Sequence, residues 1–139
     1  MKPKYLQAFM QCAEAFANTS EADNLKVGCV IVKNGAILSS GLNGTPSGWY
    51  TNVCEDSTGI TKLEVRHAEH NAILKLARNG FSAEGATMFI THAPCLKCSF
   101  DIAEVGISKV YYKEEYRNSD GKDWLRKRGI SVIKLLPLP

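Results

Sequence analysis

Apolar positions along the chain fall into blocks of two different periods. Residues 3–18 carry Tyr5, Leu6, Phe9, Met10, Ala13, Phe16 and Ala17 in steps of three and four, which predicts an amphipathic helix. Residues 26–32 form a short β-branched run, and Lys33-Asn34-Gly35 after it is a hairpin turn signal. Residues 36–40 make the return strand. From Gly41 to about Glu64 the pattern dissolves into a long loop rich in Gly, Pro, Ser and Thr at its start. A loop of that length in a compact domain is usually functional or disordered. Helical spacing resumes over 66–77 through Ala68, Ala72, Ile73 and Leu76, and Asn79-Gly80 closes it. A strand at 86–91, a helix at 95–105 opened by Pro94, a strand at 108–113, a helix at 120–127 and a strand at 130–136 follow.

The predicted order is α-β-β-α-β-α-β-α-β. A hairpin followed by strand–helix alternation indicates one mixed sheet with helices on both faces, its later crossovers right-handed and parallel. With 139 residues, a single domain over 1–139 with one core is expected. There is no internal repeat or low-complexity tract.

Composition narrows the function classes. Net charge is +3, with no dense Lys/Arg block, so a nucleic-acid polymer is not an expected partner. No apolar run approaches the roughly 20 residues that span a bilayer. No secretory segment is visible after Met1-Lys2-Pro3-Lys4, so no membrane partner and a cytoplasmic location are expected. The five cysteines (Cys12, Cys29, Cys54, Cys95, Cys98) are odd in number and argue against a disulfide framework. Cys12 and Cys29 sit in periodic apolar segments and read as packed thiols.

Cys95-x-x-Cys98 is then a metal or a redox pair. A redox role leaves His67 and Glu69 unexplained. As a metal site, His67, Cys95 and Cys98 give zinc three nitrogen and sulfur ligands and leave one position open for water. Glu69 is the unliganded acid/base beside it. His67 and Glu69 open one helix, and Cys95 and Cys98 open another, where thiolates are stabilised. The alternative is a closed structural zinc completed by Cys54 or His70, although such sites ordinarily show two tight pairs. His-x-Glu followed by Pro-Cys-x-x-Cys is the signature of zinc nucleobase deaminases.

Beyond the zinc motifs, the chain resembles the deoxycytidylate (dCMP) deaminases, including the compact bacteriophage kind, over about residues 4–136. The resemblance is carried by Gly41-Leu42-Asn43-Gly44-Thr45-Pro46-Ser47-Gly48, His67-Ala68-Glu69-His70-Asn71-Ala72-Ile73, residues 84–91, Pro94-Cys95-Leu96-Lys97-Cys98, Val110-Tyr111-Tyr112 and Tyr116. It implies a three-layer α/β/α cytidine-deaminase fold with a mixed five-stranded sheet. It implies conversion of dCMP and water to dUMP, the precursor for thymidylate synthesis, and ammonia. Zinc-activated water would attack C4 of cytosine, and Glu69 would shuttle protons to N3 and the leaving amine. The backbone at Ala68 would hold the base, and Asn43 would contact the sugar hydroxyl or base.

For the substrate phosphate, the candidate donors are Lys26, Thr45, Tyr116 and Arg117. The family also shows activation by dCTP, inhibition by dTTP, magnesium with the effector, and a hexameric assembly. Gly41, Leu42, Gly44 and Arg78 are the candidate effector or interface positions. Leu42 replaces a tyrosine common in relatives, and His70 a hydrophobic residue. Only Cys54 matches the second, structural zinc of some relatives, so one zinc is expected. Nucleoside cytidine deaminases usually have Cys at the place of His67. The alternatives are deamination of dCTP or 5-modified dCMP, or a zinc nucleotide-binding protein without turnover.

Overall fold

A computed structural model describes residues 1–138. The elements are α1 (Pro3–Ala17), β1 (Gly28–Lys33), β2 (Ala36–Leu42), α2 (Ala68–Arg78), β3 (Thr87–His92), α3 (Leu96–Glu104), β4 (Lys109–Glu114), α4 (Asp120–Lys127) and β5 (Ser131–Lys134). This is the order that periodicity predicts. The five strands form one sheet in the order β2-β1-β3-β4-β5. β1 runs antiparallel to β2 and β3, whereas β3, β4 and β5 are mutually parallel.

Alternation along the strands divides the core into two layers. Val30, Val32, Phe89 and Tyr111 face α1, where they meet Met10 and Ala13. Phe89 stacks on Tyr111 with ring centroids 5.1 Å apart. Cys29, Ile31, Met88, Ile90, Val110 and Val132 face the opposite way, against α2, α3 and α4. The three central strands are therefore apolar on both faces, as a sheet between helical layers requires. Each fully buried large aliphatic side chain contributes about 1.5–3 kcal/mol.

The boundaries differ from the sequence expectation at informative places. The β1 ladder starts at Gly28, not residue 26, because the Asn43 side chain takes the Val27 N–H at 2.8 Å. α2 starts at Ala68 and α3 at Leu96; His67 and Cys95 are the extended N-cap residues, with ψ of 157° and 166°. β5 ends at Lys134, short of residue 136. The hairpin turns on Asn34 and Gly35, both at positive φ. Residues 43–66 fold back on themselves, with Gly44 and Arg66 exchanging backbone bonds at 3.1 and 2.9 Å. No helix among the described residues is long and apolar enough to cross a membrane.

Candidate active site

β3 and β4 end at the same edge of the sheet, and α3 begins there. Open sheets place ligand crevices beyond the carboxyl ends of parallel strands. A cavity of about 580 Å³ lies there, within the size range of small-molecule sites.

Its inner end is made by two helix starts. As N-cap of α2, His67 brings Nδ1 to 3.3 Å from Cys98 Sγ and 3.6 Å from Cys95 Sγ. All three ligand atoms lie within 4.8 Å of one another. A tetrahedral zinc with its usual nitrogen and sulfur bond lengths separates such atoms by about 3.6 Å. Donor set and spacing therefore fit zinc. Neither Cys54 nor His70 belongs to the cluster, so the fourth ligand of a closed structural site is not supplied.

Local electrostatics suit a cation. A hydrogen bond from the Cys98 thiol, opposed by burial and reinforced by His67, pulls the Cys95 thiol down to about 4. The same bond and burial push Cys98 up. The hydrogen bond with Cys95 raises the His67 pKa.

Glu69, in the first turn of α2, is 3% exposed, and its carboxylate is not part of the three-ligand cluster. Burial pushes its carboxyl up to about 7, against the opposing pull of its own backbone N–H and of His67. A carboxyl near neutrality can both accept and return a proton.

Two glycines let the backbone approach this end closely. A Cβ on Gly41 would sit 2.2 Å from the Ala68 carbonyl oxygen and 2.6 Å from the Ala72 nitrogen. Glycine there allows β2 to seat the first turn of α2. A Cβ on Gly121 would sit 2.3 Å from the Pro94 carbonyl oxygen, so α4 packs directly behind the Cys95 turn.

The mouth of the cavity is assembled from loops. Glu55, 8% exposed, accepts the Asp23 N–H at 3.1 Å and the Asn24 N–H at 3.3 Å. Asn24 Nδ2 donates to Gly59 O and Thr61 Oγ1. Asn43 accepts from Val27 N through Oδ1 and donates to Leu25 O at 2.6 Å. It lines the cavity while holding the 25–27 segment in place. On the other side stand Glu115, Tyr116 and Arg117. Glu115 is held by Lys122, by Lys134 at 3.6 Å and by the Tyr112 hydroxyl at 3.3 Å. The two lysines offset its charge.

The expected residues thus divide between two cavities, with Lys26 outside both. His67, Ala68, Glu69, Cys95, Asn43, Tyr116 and Arg117 line the main cavity, and Cys98 completes the ligand cluster. Lys26 stands between the lining residues Leu25 and Val27 without joining the lining. Thr45 lies elsewhere: its hydroxyl donates to Thr51 O at 2.8 Å, and it lines a separate groove of about 390 Å³. Gly41, Leu42, Gly44 and Arg78 share that groove with Arg66 and Lys75. Glu55, His92 and Glu115 also line the main cavity, Glu115 paired with Lys122 behind it, and no sequence motif singles them out. His92 directly precedes Ala93-Pro94-Cys95, a closeness that marked it; Glu55 had no local signal.

Comparison with known proteins agrees with this geometry. The sequence matches the family described as "Cytidine and deoxycytidylate deaminase zinc-binding region" over residues 3–114. The chain belongs to that cytidine and deoxycytidylate deaminase family, and its fold is the three-layer α/β/α deaminase fold. The deoxycytidylate deaminase of Enterobacteria phage T4 is 35% identical, the match covering 91% of this chain and 87% of the relative. An uncharacterized deaminase of Aliivibrio fischeri is 39% identical over 83% of this chain and 76% of its own. The crystal structure of dCMP deaminase from cyanophage S-TIM5 in complex with dCMP and dUMP superposes with a TM-score of 0.93 at 48% identity, covering 96% of this chain and 98% of the other.

Proposed function

We propose that this chain hydrolyses dCMP to dUMP and ammonia. The observation that carries the proposal is the three-ligand cluster with a buried, unliganded Glu69 at the inner end of a nucleotide-sized cavity. His67, Cys95 and Cys98 would hold zinc, which would supply the Lewis acid that makes water a nucleophile near neutral pH. Glu69 accepts the proton released by that water and delivers it to N3 of the cytosine. A carbon–oxygen bond forms at C4 as the ring nitrogen is protonated. Glu69 then moves the remaining proton of the new C4 hydroxyl to the exocyclic amine; the C4–N bond breaks, ammonia leaves and the C4 carbonyl of dUMP forms. The backbone at Ala68 meets the polar edge of the base, while Leu25, Val27 and Ile90 give an apolar wall. Arg117 and Tyr116 at the mouth receive the phosphate.

The second groove supports a regulatory reading. Arg66, Lys75 and Arg78 give it three cations and no carboxylate, which suits the phosphates of dCTP or dTTP with magnesium as counter-ion. Exposed Trp49, Tyr50, Ile60 and Leu63 on the adjoining loop suit contact between copies of the chain in a homo-oligomer.

Zinc-loaded protein incubated with dCMP, deoxycytidine, cytidine and dCTP, followed by ammonia release, tests the activity. Turnover is expected with dCMP as the preferred substrate. No turnover of any cytosine compound overturns the enzyme reading, and preference for dCTP overturns the monophosphate assignment. Sigmoidal dCMP kinetics made hyperbolic by dCTP would support the second groove as an effector site, and Arg78→Ala should remove that response.

A further inference from the structure

His92 ends β3 and lines the cavity wall. Its hydrogen-bonding state is set from behind. Thr91, 5% exposed, accepts the Gly28 N–H on Oγ1 at 3.1 Å. The same Oγ1 lies 3.2 Å from Nδ1 of His92. Among the described residues Thr91 Oγ1 has no other hydrogen-bond partner, and a hydroxyl carries a single proton. That proton therefore goes to Nδ1. The reverse assignment would bury a hydroxyl proton with no acceptor. A ring nitrogen that accepts has no proton of its own, so the neutral imidazole carries its hydrogen on Nε2. Burial holds the His92 pKa below its ordinary value, against the pull of Glu114, and favours the neutral ring.

Position along the wall decides what that hydrogen can reach. Parallel pairing sets His92 beside Glu114, the residue before the Glu115–Arg117 segment of the mouth. Ala93, Pro94 and the ligand Cys95 follow His92 directly. His92 thus lines the same cavity as His67 and Cys95, which take the base end in the dCMP reading, and Arg117, which takes the phosphate there.

We propose that His92 is a specificity residue for nucleotides, donating its Nε2–H to the substrate's phosphate monoester alongside Arg117. This rests on the dCMP reading above. Arg117 brings the charge, and His92 adds a fixed neutral donor whose tautomer is locked through Thr91 to the β1 backbone.

Steady-state kinetics of the zinc-loaded wild type, His92→Leu and His92→Gln with dCMP and deoxycytidine test the contact. For His92→Leu the ratio of dCMP to deoxycytidine kcat/KM should fall about 10- to 100-fold, the range for a hydrogen bond to a charged group. His92→Gln, which can offer an N–H near the Nε2 position, should recover much of the loss. Equal losses on both substrates, or an unchanged ratio, overturn the proposal. Calorimetric binding of dUMP against deoxyuridine reads the same contact without turnover. A wild type that does not deaminate dCMP yet shows His92-dependent preference for dUMP would sink the catalytic reading and leave the phosphate contact standing. Nitrogen-15 NMR of the three histidines, assigned by the loss of signals in the variants, should show His92 protonated on Nε2 alone, with that preference lost in Thr91→Val. A ring protonated on Nδ1 overturns the proposal.

Discussion

At the inner end of the cavity, four chemical groups come from two helix starts. His67 and Glu69 lie two residues apart on one, Cys95 and Cys98 three apart on the other. The mouth is built from segments 22–25, 54–61 and 115–117, joined by bonds such as Glu55 to Asp23 across 32 positions. The inner end borrows its precision from regular backbone, since an N-cap and a first helical turn fix where side chains point. The mouth must supply its own order by pairing loops. The proposed chemistry therefore sits on the rigid part of the fold, and the proposed substrate contacts on the part that sequence can change most freely.

The largest effect should come from the inner end. Glu69→Gln keeps the shape of the side chain and removes its proton chemistry. Turnover of dCMP should fall by about 10²–10⁴-fold, the usual contribution of a positioned acid/base. Bound zinc, measured by elemental analysis, should stay at wild-type stoichiometry. Loss of zinc with activity would make Glu69 a ligand and break the division between metal cluster and proton carrier.

At the mouth the effect should be smaller and of another kind. Glu55→Ala leaves the Asp23 and Asn24 N–H groups without their acceptor, a loss of about 1–3 kcal/mol for partly buried donors. The melting temperature should drop. KM for dCMP should rise up to about tenfold as the 22–25 wall loosens, the upper bound being about 1.4 kcal/mol of that loss. Zinc content should not change. A fall in kcat with KM untouched would mean that the two ends are mechanically one unit.

The same contrast explains what the sequence made legible. Element order, sheet class and the ligand cluster follow from local spacing, because helix period and N-terminal position act within a few residues. His67, Glu69, Cys95 and Cys98 could be placed together on that basis. Glu55 could not, since nothing in Cys54-Glu55-Asp56 announces a partner at Asp23. Asn43 stood out within a motif, yet both ends of its side-chain amide engage the backbone at Leu25 and Val27, which a motif does not reveal. The long 43–66 segment looked irregular because its pairings, Gly44 with Arg66 and Glu55 with Thr61, are single bridges with no period to detect. Lys122 and Glu115 lie seven apart, but Glu115 is in the loop after β4 and Lys122 inside α4, so no helical rule joins them.

Thr45→Ala should have the smallest effect and gives the sharpest check on the mouth. By sequence Thr45 is a candidate phosphate donor, two residues beyond Asn43. In the fold its hydroxyl is occupied by Thr51 O, and it opens onto the second groove with Arg66, Lys75 and Arg78. Losing a neutral hydrogen bond of this kind costs about 0.5–1.5 kcal/mol. For a chain of this size, that lowers the melting temperature by roughly 2–8 °C. The substrate cavity does not include Thr45, so KM for dCMP should stay within about twofold of wild type, the spread of an ordinary surface substitution. A tenfold rise in KM with an unchanged melting temperature would mean that Thr45 reaches the phosphate in the bound state. The 43–51 loop would then have to swing from one groove to the other when substrate binds, and the mouth would be a moving part rather than a pre-formed one.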